Sequence, residues 1–378
     1  MKCEWKRIRV GDLGTIITGK TPPTKKAEYW GGNIHFITPK DLQGTKHVLQ
    51  TDRFITGMGL ESVRGCKLPS DAVCVSCIGN IGYVAMTRQT CISNQQINSI
   101  IANENYDPDF VYYLMKSLWP FFKNYEGQST TLSILNKTQF SKIEIVTPDL
   151  PEQKKIASIL SSLDDKIELN NKINENLEQQ AQAIFRSWFL DYLPFNSIKP
   201  TYWKFCTLGE TTKMSAGGDK PKGISNINST EYPYPIYSNG LDNEGLYGYT
   251  NEAKIFAESV TVSARGTIGF VCLRHIPYVP IVRLVTLIPN ENLISAKYLY
   301  LYLKQLHISG TGTTQQQLTV PDFRKTEILI PDKITMDKFT NLMSPMFNQI
   351  WANEEENIKL ASLRDSLLPK LMSGEIEL

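Results

Sequence analysis

Three short patterns in this sequence have the residue types and spacing to do chemistry. Gly14-Thr15-Ile16-Ile17-Thr18-Gly19-Lys20-Thr21 fits G-x-x-x-x-G-K-[ST], a phosphate loop whose lysine opens a helix and aims backbone N–H groups at phosphate. Here Pro22 and Pro23 follow at once. A residue before proline is pushed out of helical geometry, so the segment is expected to be a β-turn with an exposed Lys20, not a nucleotide cradle. Pro148-Asp149 followed by Glu152-Gln153-Lys154 imitates a metal-nuclease pattern. That chemistry needs its acids on separate strands, whereas acids this close at a helix start suit the positive end of the helix. Cys74-x-x-Cys77 lacks a second pair, and His35, His47, His275 and His307 show no ligand spacing. A zinc site wants four ligands, so packed thiols and no metal are expected. Neither an Asn/Asp-Pro-Pro-aromatic motif for amino-group methylation nor a Gly-rich strand-to-helix turn for a methyl donor occurs. By this reading no residue is catalytic, and the chain is not itself an enzyme.

The elements around these patterns occur twice. Shifting the sequence by 183 residues brings Gly127, Leu135, Phe140, Lys142, Glu144, Ile145, Pro148 and Asp149 onto Gly310, Leu318, Phe323, Lys325, Glu327, Ile328, Pro331 and Asp332. Residues 1–150 alternate short β-type runs (Ile34–Ile37, Ala72–Val75, Gly82–Met86) with turn residues and one helical stretch from Asp109 to Leu118. Residues 195–332 repeat that order, with Lys297 to Leu306 answering the helix. The connecting segments 151–194 and 333–378 are helical. Ile156, Leu163, Asn170, Leu177 and Ile184 recur at seven-residue steps beside Leu160, Ile167, Asn174, Ala181 and Trp188, which is a coiled-coil seam. The second copy runs Phe339, Met346, Asn353, Leu360, Leu367 beside Met343, Ile350, Asn357, Arg364, Leu371. Packed antiparallel, Asn170 and Asn174 would face Asn353 and Asn357 and fix the register. The first helix would be a rigid spacer roughly 60 Å long at 1.5 Å per residue. Pro345 and Pro369 predict a kink or local break in the second. The fold class is therefore α+β: two pseudo-repeated β-rich domains separated by two long antiparallel helices.

Length and composition agree. The 378 residues exceed one ordinary core. Seven cysteines, an odd and sparse set, suit a reducing cytoplasm. The opening Met1 to Arg7 lacks the apolar run of a signal peptide, and no apolar stretch is long enough to span a bilayer. The net charge of +2 is unevenly spread: the globular segments carry 17 Lys/Arg against 13 Asp/Glu and 13 against 11, the helical ones 5 against 7 each. Basic heads on acidic connectors fit phosphate contact.

The order head–helix–head–helix resembles the specificity (S) subunit of type I restriction–modification systems. The resemblance spans the whole chain and is carried by Ile37-Thr38-Pro39-Lys40-Asp41-Leu42, Leu150-Pro151-Glu152-Gln153-Lys154-Lys155-Ile156, Phe185-Arg186-Ser187-Trp188-Phe189 and Leu367-Leu368-Pro369-Lys370-Leu371-Met372-Ser373-Gly374-Glu375-Ile376. It implies two target-recognition domains (1–150 and 195–332), each reading one half of a bipartite, asymmetric site in double-stranded DNA. The helix pair (151–194 and 333–378) would set the gap. It also implies partner subunits: modification subunits that bind S-adenosylmethionine and methylate adenine, and restriction subunits that translocate and cut with ATP and Mg. No cofactor is expected on this chain.

On that reading, polar side chains at turns touch DNA. In the first head these are Lys20, Thr21, Lys40, Asp41, Ser76, Asn80, Gln95, Gln96, Thr130 and Thr131. In the second they are Ser238, Asn239, Arg265, Thr267, Thr314, Gln315, Gln316 and Gln317. Arg265, between Ala264 and Gly266, could present its fork to guanine O6 and N7. Arg265 stands where the first head has Ile78, so two unlike half-sites are expected. A self-contained restriction or methylation enzyme would cut or methylate DNA alone. A protein scaffold would lack salt-sensitive, sequence-selective DNA binding.

Overall fold

In the computed structural model of the protein, residues 5–128, 132–310, 317–376 and 378 are described. They form two compact units, Met1–Lys172 with Asn353–Leu378, and Ile173–Ala352. Four helices matter below: α1 (Pro108–Ser117), α2 (Leu150–Phe189), α3 (Ala296–Gln305) and α4 (Lys333–Met372). The two 40-residue helices α2 and α4 each give one part to either unit.

The first unit is closed by an antiparallel pair in which Lys6 lies opposite Thr147. Inside it, a five-stranded sheet runs in the order Gly14–Thr18, Ile97–Ala102, Val73–Ser76, Val84–Thr87, His47–Val48. A three-stranded sheet runs Arg53–Ile55, Trp30–Ile37, Ile92–Ser93. Val73–Ser76 is buried throughout because both its faces are covered. Val73 and Val75 join the core beneath α1, while Cys74 packs on Leu68, Ala72 and Ile97. Burial pushes the Cys74 thiol up to about 11 and the Cys77 thiol to about 12, so both stay protonated and inert. Among the described residues, no His/Cys/Asp/Glu group could hold a metal ion.

The second unit repeats the plan. Lys204 lies opposite Ile330, a four-stranded sheet runs Thr212–Ala216, Val285–Pro289, Ser259–Val262, Val271–Arg274, and a three-stranded one runs Leu246–Thr250, Tyr234–Tyr237, Val279–Pro280. The helices α1 and α3 start on equivalent caps: Asp107 Oδ1 accepts from Phe110 N at 3.0 Å, and Ser295 Oγ from Tyr298 N at 3.3 Å. The architecture is thus α+β with an internal repeat.

The apparent nuclease motif is a helix start. Asp149 Oδ1 accepts from Glu152 N at 3.1 Å, and its repeat mate Asp332 accepts from Thr335 N at 3.0 Å and Trp203 Nε1 at 3.1 Å. The apparent phosphate loop is not the β-turn expected: Gly14–Thr18 is an edge strand. A Cβ on Gly14 would lie 2.0 Å from the Ile101 carbonyl oxygen, so the close pairing with Ile97–Ala102 requires glycine there. Lys20 is exposed beyond the strand end, as anticipated.

Within each unit the α2 and α4 portions run antiparallel. In the first, Arg364 reaches Asp164, Lys166 lies 3.2 Å from Glu356, and Asn170 Nδ2 donates to Asn357 Oδ1 at 2.9 Å and to Glu356 Oε2 at 2.7 Å. In the second, Asn174 Nδ2 donates to the Ile350 carbonyl at 3.2 Å. Ala181, Phe185 and Phe189 share a core with Phe339, Met343 and Phe347. Asn170 and Asn353 are buried. Asn170 thus meets Asn357, whereas Asn174 uses a backbone carbonyl in its own unit.

Two expectations need correction. The local break does not occur: α4 is continuous through Pro345 and Pro369. An internal proline removes one backbone bond at about 3 kcal/mol, but Met343 and Phe347 are buried on either side of Pro345, and Pro369 falls in the last turn between buried Leu368 and Leu371. The heptad seam also does not describe all of α2. Ser161, Asp164 and Glu168 are buried polar residues facing the first head, where Lys46 Nζ donates to Ser161 Oγ at 2.8 Å and Tyr113 Oη to Asp164 Oδ2 at 2.7 Å.

Candidate nucleic-acid interface

In the first unit, backbone bonds gather four loops at one place. Gly19 N donates to Ile97 O at 3.0 Å, Cys77 N to Gln96 O at 2.7 Å, and Gly79 N to Ser133 O at 3.1 Å. Thr21 Oγ1 donates to Gln95 Oε1 at 2.7 Å. Lys20, Thr21, Asn80, Gln95 and Gln96 therefore belong to one loop cluster. Asn94 Oδ1 accepts from Gln96 N at 3.0 Å, and Asn94 Nδ2 donates to Gln96 Oε1 at 2.9 Å, which stiffens the loop.

Lys40 and Asp41 follow the strand Trp30–Ile37, whose end is tied to this cluster by Asn94 N donating to Ile37 O at 2.9 Å. Asp41 is occupied with its own turn, accepting from Thr38 N at 2.7 Å and from Thr38 Oγ1 at 2.6 Å. Lys40 Nζ lies 2.9 Å from Asp52 Oδ2 on an exposed surface. Ser76 does not fit the role assigned to it. It is fully buried, with its hydroxyl donating to Asn80 O at 2.7 Å and accepting from Tyr83 N at 2.9 Å. Both of its bonding directions are spent on the turn. Thr130 and Thr131 lie outside the described residues.

The second unit builds the equivalent cluster with other side chains. Gly217 N donates to Leu284 O at 2.8 Å, as Gly19 N does to Ile97 O, so Arg283 occupies the place of Gln96. Leu318 N donates to Ala264 O at 3.0 Å, as Leu135 N does to Cys77 O. Asn239 joins two loops, its Nδ2 donating to Val282 O at 2.6 Å and its Oδ1 accepting from Ala264 N at 2.7 Å. Its side-chain amide thereby positions both loops. Ser238 is half-buried, its N–H donating to Gly245 O at 2.8 Å. Arg265 and Thr267 are exposed at the tip. Arg265 Nε donates to Gln317 Oε1 at 3.0 Å, and the terminal guanidinium nitrogens have no partner among the described residues. Gln317 thus aims the fork. Thr314, Gln315 and Gln316 lie outside the described residues.

Sequence reasoning missed Arg283. Val282 and Arg283 hold positive φ values of 52° and 63°, which turn the chain at the strand start and leave Arg283 exposed beside Gly217, whose carbonyl accepts from Arg283 N at 2.9 Å. The only local signal is a charge set between apolar neighbours in Ile281-Val282-Arg283-Leu284.

Each cluster presents amide, hydroxyl and cationic groups on a firm loop framework, with no nucleophile–base pair and no carboxylate dyad among the described residues. Such groups suit hydrogen bonding to base edges and phosphates. The model of the type I restriction modification DNA specificity domain family matches residues 2–179 and 200–360. The type I restriction enzyme MjaIX specificity subunit of Methanocaldococcus jannaschii is 29% identical, covering 99% of this chain and 94% of the relative. The HindI specificity subunit of Haemophilus influenzae is 35% identical over 45% of this chain and 39% of its own length. The crystal structure of a type I restriction-modification system S subunit from M. genitalium aligns with a TM-score of 0.62 at 16% identity, covering 98% of this chain and 96% of that one, and so shares the fold. With two family domains matched across most of its length, the chain belongs to the type I restriction–modification DNA specificity family.

Proposed function

We propose that each loop cluster reads one half of a bipartite, asymmetric DNA site, making the chain the sequence-specificity subunit of a restriction–modification complex. The observation that carries this reading is a single loop framework built twice with unlike side chains. Arg265 stands for Ile78 and Arg283 for Gln96, while the backbone bonds beneath them match. An arginine fork favours guanine and a carboxamide favours adenine, so the halves differ in sequence. The α2–α4 pair sets the gap between them. Modification subunits carrying S-adenosylmethionine, and restriction subunits carrying ATP and Mg, supply the chemistry in the cytoplasm. Among the described residues, no helix is long and apolar enough to cross a membrane. The test is a genome-wide map of methylated adenines in the host with and without this gene. The expected result is loss of one motif made of two unlike halves at a fixed gap. A palindromic motif, or no change in the map, would overturn the reading.

A further inference from the structure

The internal repeat exposes a vacancy in the first unit. Both heads carry a tyrosine followed four residues later by a lysine: Tyr112 and Lys116 on α1, Tyr300 and Lys304 on α3. In the second unit α2 supplies their counter-ion, Glu178 Oε1 accepting from Tyr300 Oη at 2.6 Å and from Lys304 Nζ at 2.9 Å. The matching helix in the first unit is α4, and the 183-residue register puts Ala361 at the position of Glu178. The same register puts Leu368 at the position of Phe185, whose ring packs 5.5 Å from that of Tyr298.

Both replacements remove bulk. A cavity of about 370 Å³ lies beside Lys116, walled by Leu42, Tyr83, Tyr112, Trp119 and Leu368, a size ordinary for small-ligand sites. Among the described residues Lys116 Nζ hydrogen-bonds only the Tyr112 hydroxyl, at 3.4 Å, lies 5.6 Å from the centre of that ring, and forms no ion pair with a carboxylate. Asp365, which also lines the cavity, is held by Arg364 at 2.7 Å. Burial pushes the Lys116 ammonium below its ordinary value, and the Arg364 charge adds to this against weaker pulls from Asp164 and Asp365. A half-buried cation without a counter-ion, next to an aromatic slot, gains from an anion brought in from outside.

We infer that this cavity binds an organic monocarboxylate with an aromatic body. Its carboxylate sits on Lys116 and Tyr112 where Glu178 sits on Lys304 and Tyr300, and its ring lies among Tyr83, Trp119 and Leu368. The test is calorimetric titration of the full chain with 3-phenylpropanoate and with its amide. The carboxylate is expected to bind at least about tenfold tighter than the amide, the scale of one charged hydrogen bond. Ala361→Glu, which supplies the carboxylate from α4, is expected to raise Tm and weaken binding at least about tenfold. Trp119→Ala, at a site 41% exposed where truncation spares the core, is expected to weaken binding as well. Failure of 3-phenylpropanoate to bind, equal binding of acid and amide, or unchanged binding in either folded variant would overturn the inference.

Discussion

Asp164 and Arg364, 200 residues apart in the chain, meet as an ion pair in the seam between α2 and α4, with only 4% and 12% of their side chains exposed. Tyr113 Oη donates to the second carboxylate oxygen at 2.7 Å, so the acid is fully satisfied. The repeat places Phe347 and Ala181 at the corresponding positions of the second unit, both buried in an apolar core. One geometry is therefore held by charge in the first unit and by packing in the second.

Breaking that pair from one side strands a buried charge. Arg364→Met or Asp164→Leu alone is expected to cost about 3–5 kcal/mol, whereas the two together, which remove both charges, cost much less. Urea unfolding of the singles and the double forms the cycle. Additive losses would mean the two residues do not act as a pair.

Glu168 sets an acid limit. Burial alone would raise its carboxyl, but the hydrogen bond from His47, the charge of that ring and the Arg88 guanidinium overcome this and hold it below the ordinary value of 4.5. Lowering a carboxyl in the folded state gives stability that is complete above the unfolded value and disappears as pH falls through the folded one. Melting temperature should therefore decline below about pH 4.5 more steeply in the native chain than in Glu168→Gln. Parallel declines in the two proteins would remove Glu168 from the account.

At Arg265, truncation to alanine should relax one base position in one half-site, at about 1–3 kcal/mol of discrimination, and leave the other half unchanged. Gln317→Ala should give a smaller loss at the same position, because Gln317 holds the Arg265 Nε at 3.0 Å. Competition binding across single-base variants of the mapped site, with the modification subunits present, measures both. Uniform weakening over all positions would make Arg265 a phosphate contact instead.

Adding seven residues to α2 after Lys172 and seven to α4 after Ala352 keeps every seam residue on its face. At 1.5 Å per residue it lengthens the pair by about 10 Å, roughly three base pairs at 3.4 Å each. The methylated motif should keep both halves and widen its gap by about that amount. A constant gap would refute the proposed role of the helices.

The period of the helices, the internal duplication and the caps at Asp149 and Asp332 were legible in the sequence, because each depends on residues near one another or on a fixed offset. What escaped depends on distant partners. Ser161, Asp164 and Glu168 look like solvent-facing helix positions until Lys46, Tyr113 and His47 arrive from the head. Ser76 looks available until the turn takes up its hydroxyl, and Arg283 looks like a strand residue until a left-handed backbone turns it outward. The local cost of Pro345 is visible in the sequence, whereas the burial of Met343 and Phe347 on either side of it is not.

The strand pairs that close each head have an evolutionary consequence. With Lys6 opposite Thr147 and Lys204 opposite Ile330, the path into a head and the path out lie one strand spacing apart, about 4.8 Å. A foreign insert needs only two neighbouring ends to be seated there. Recombination between the duplicated flanks can therefore exchange one head like a cassette, with the helices left untouched.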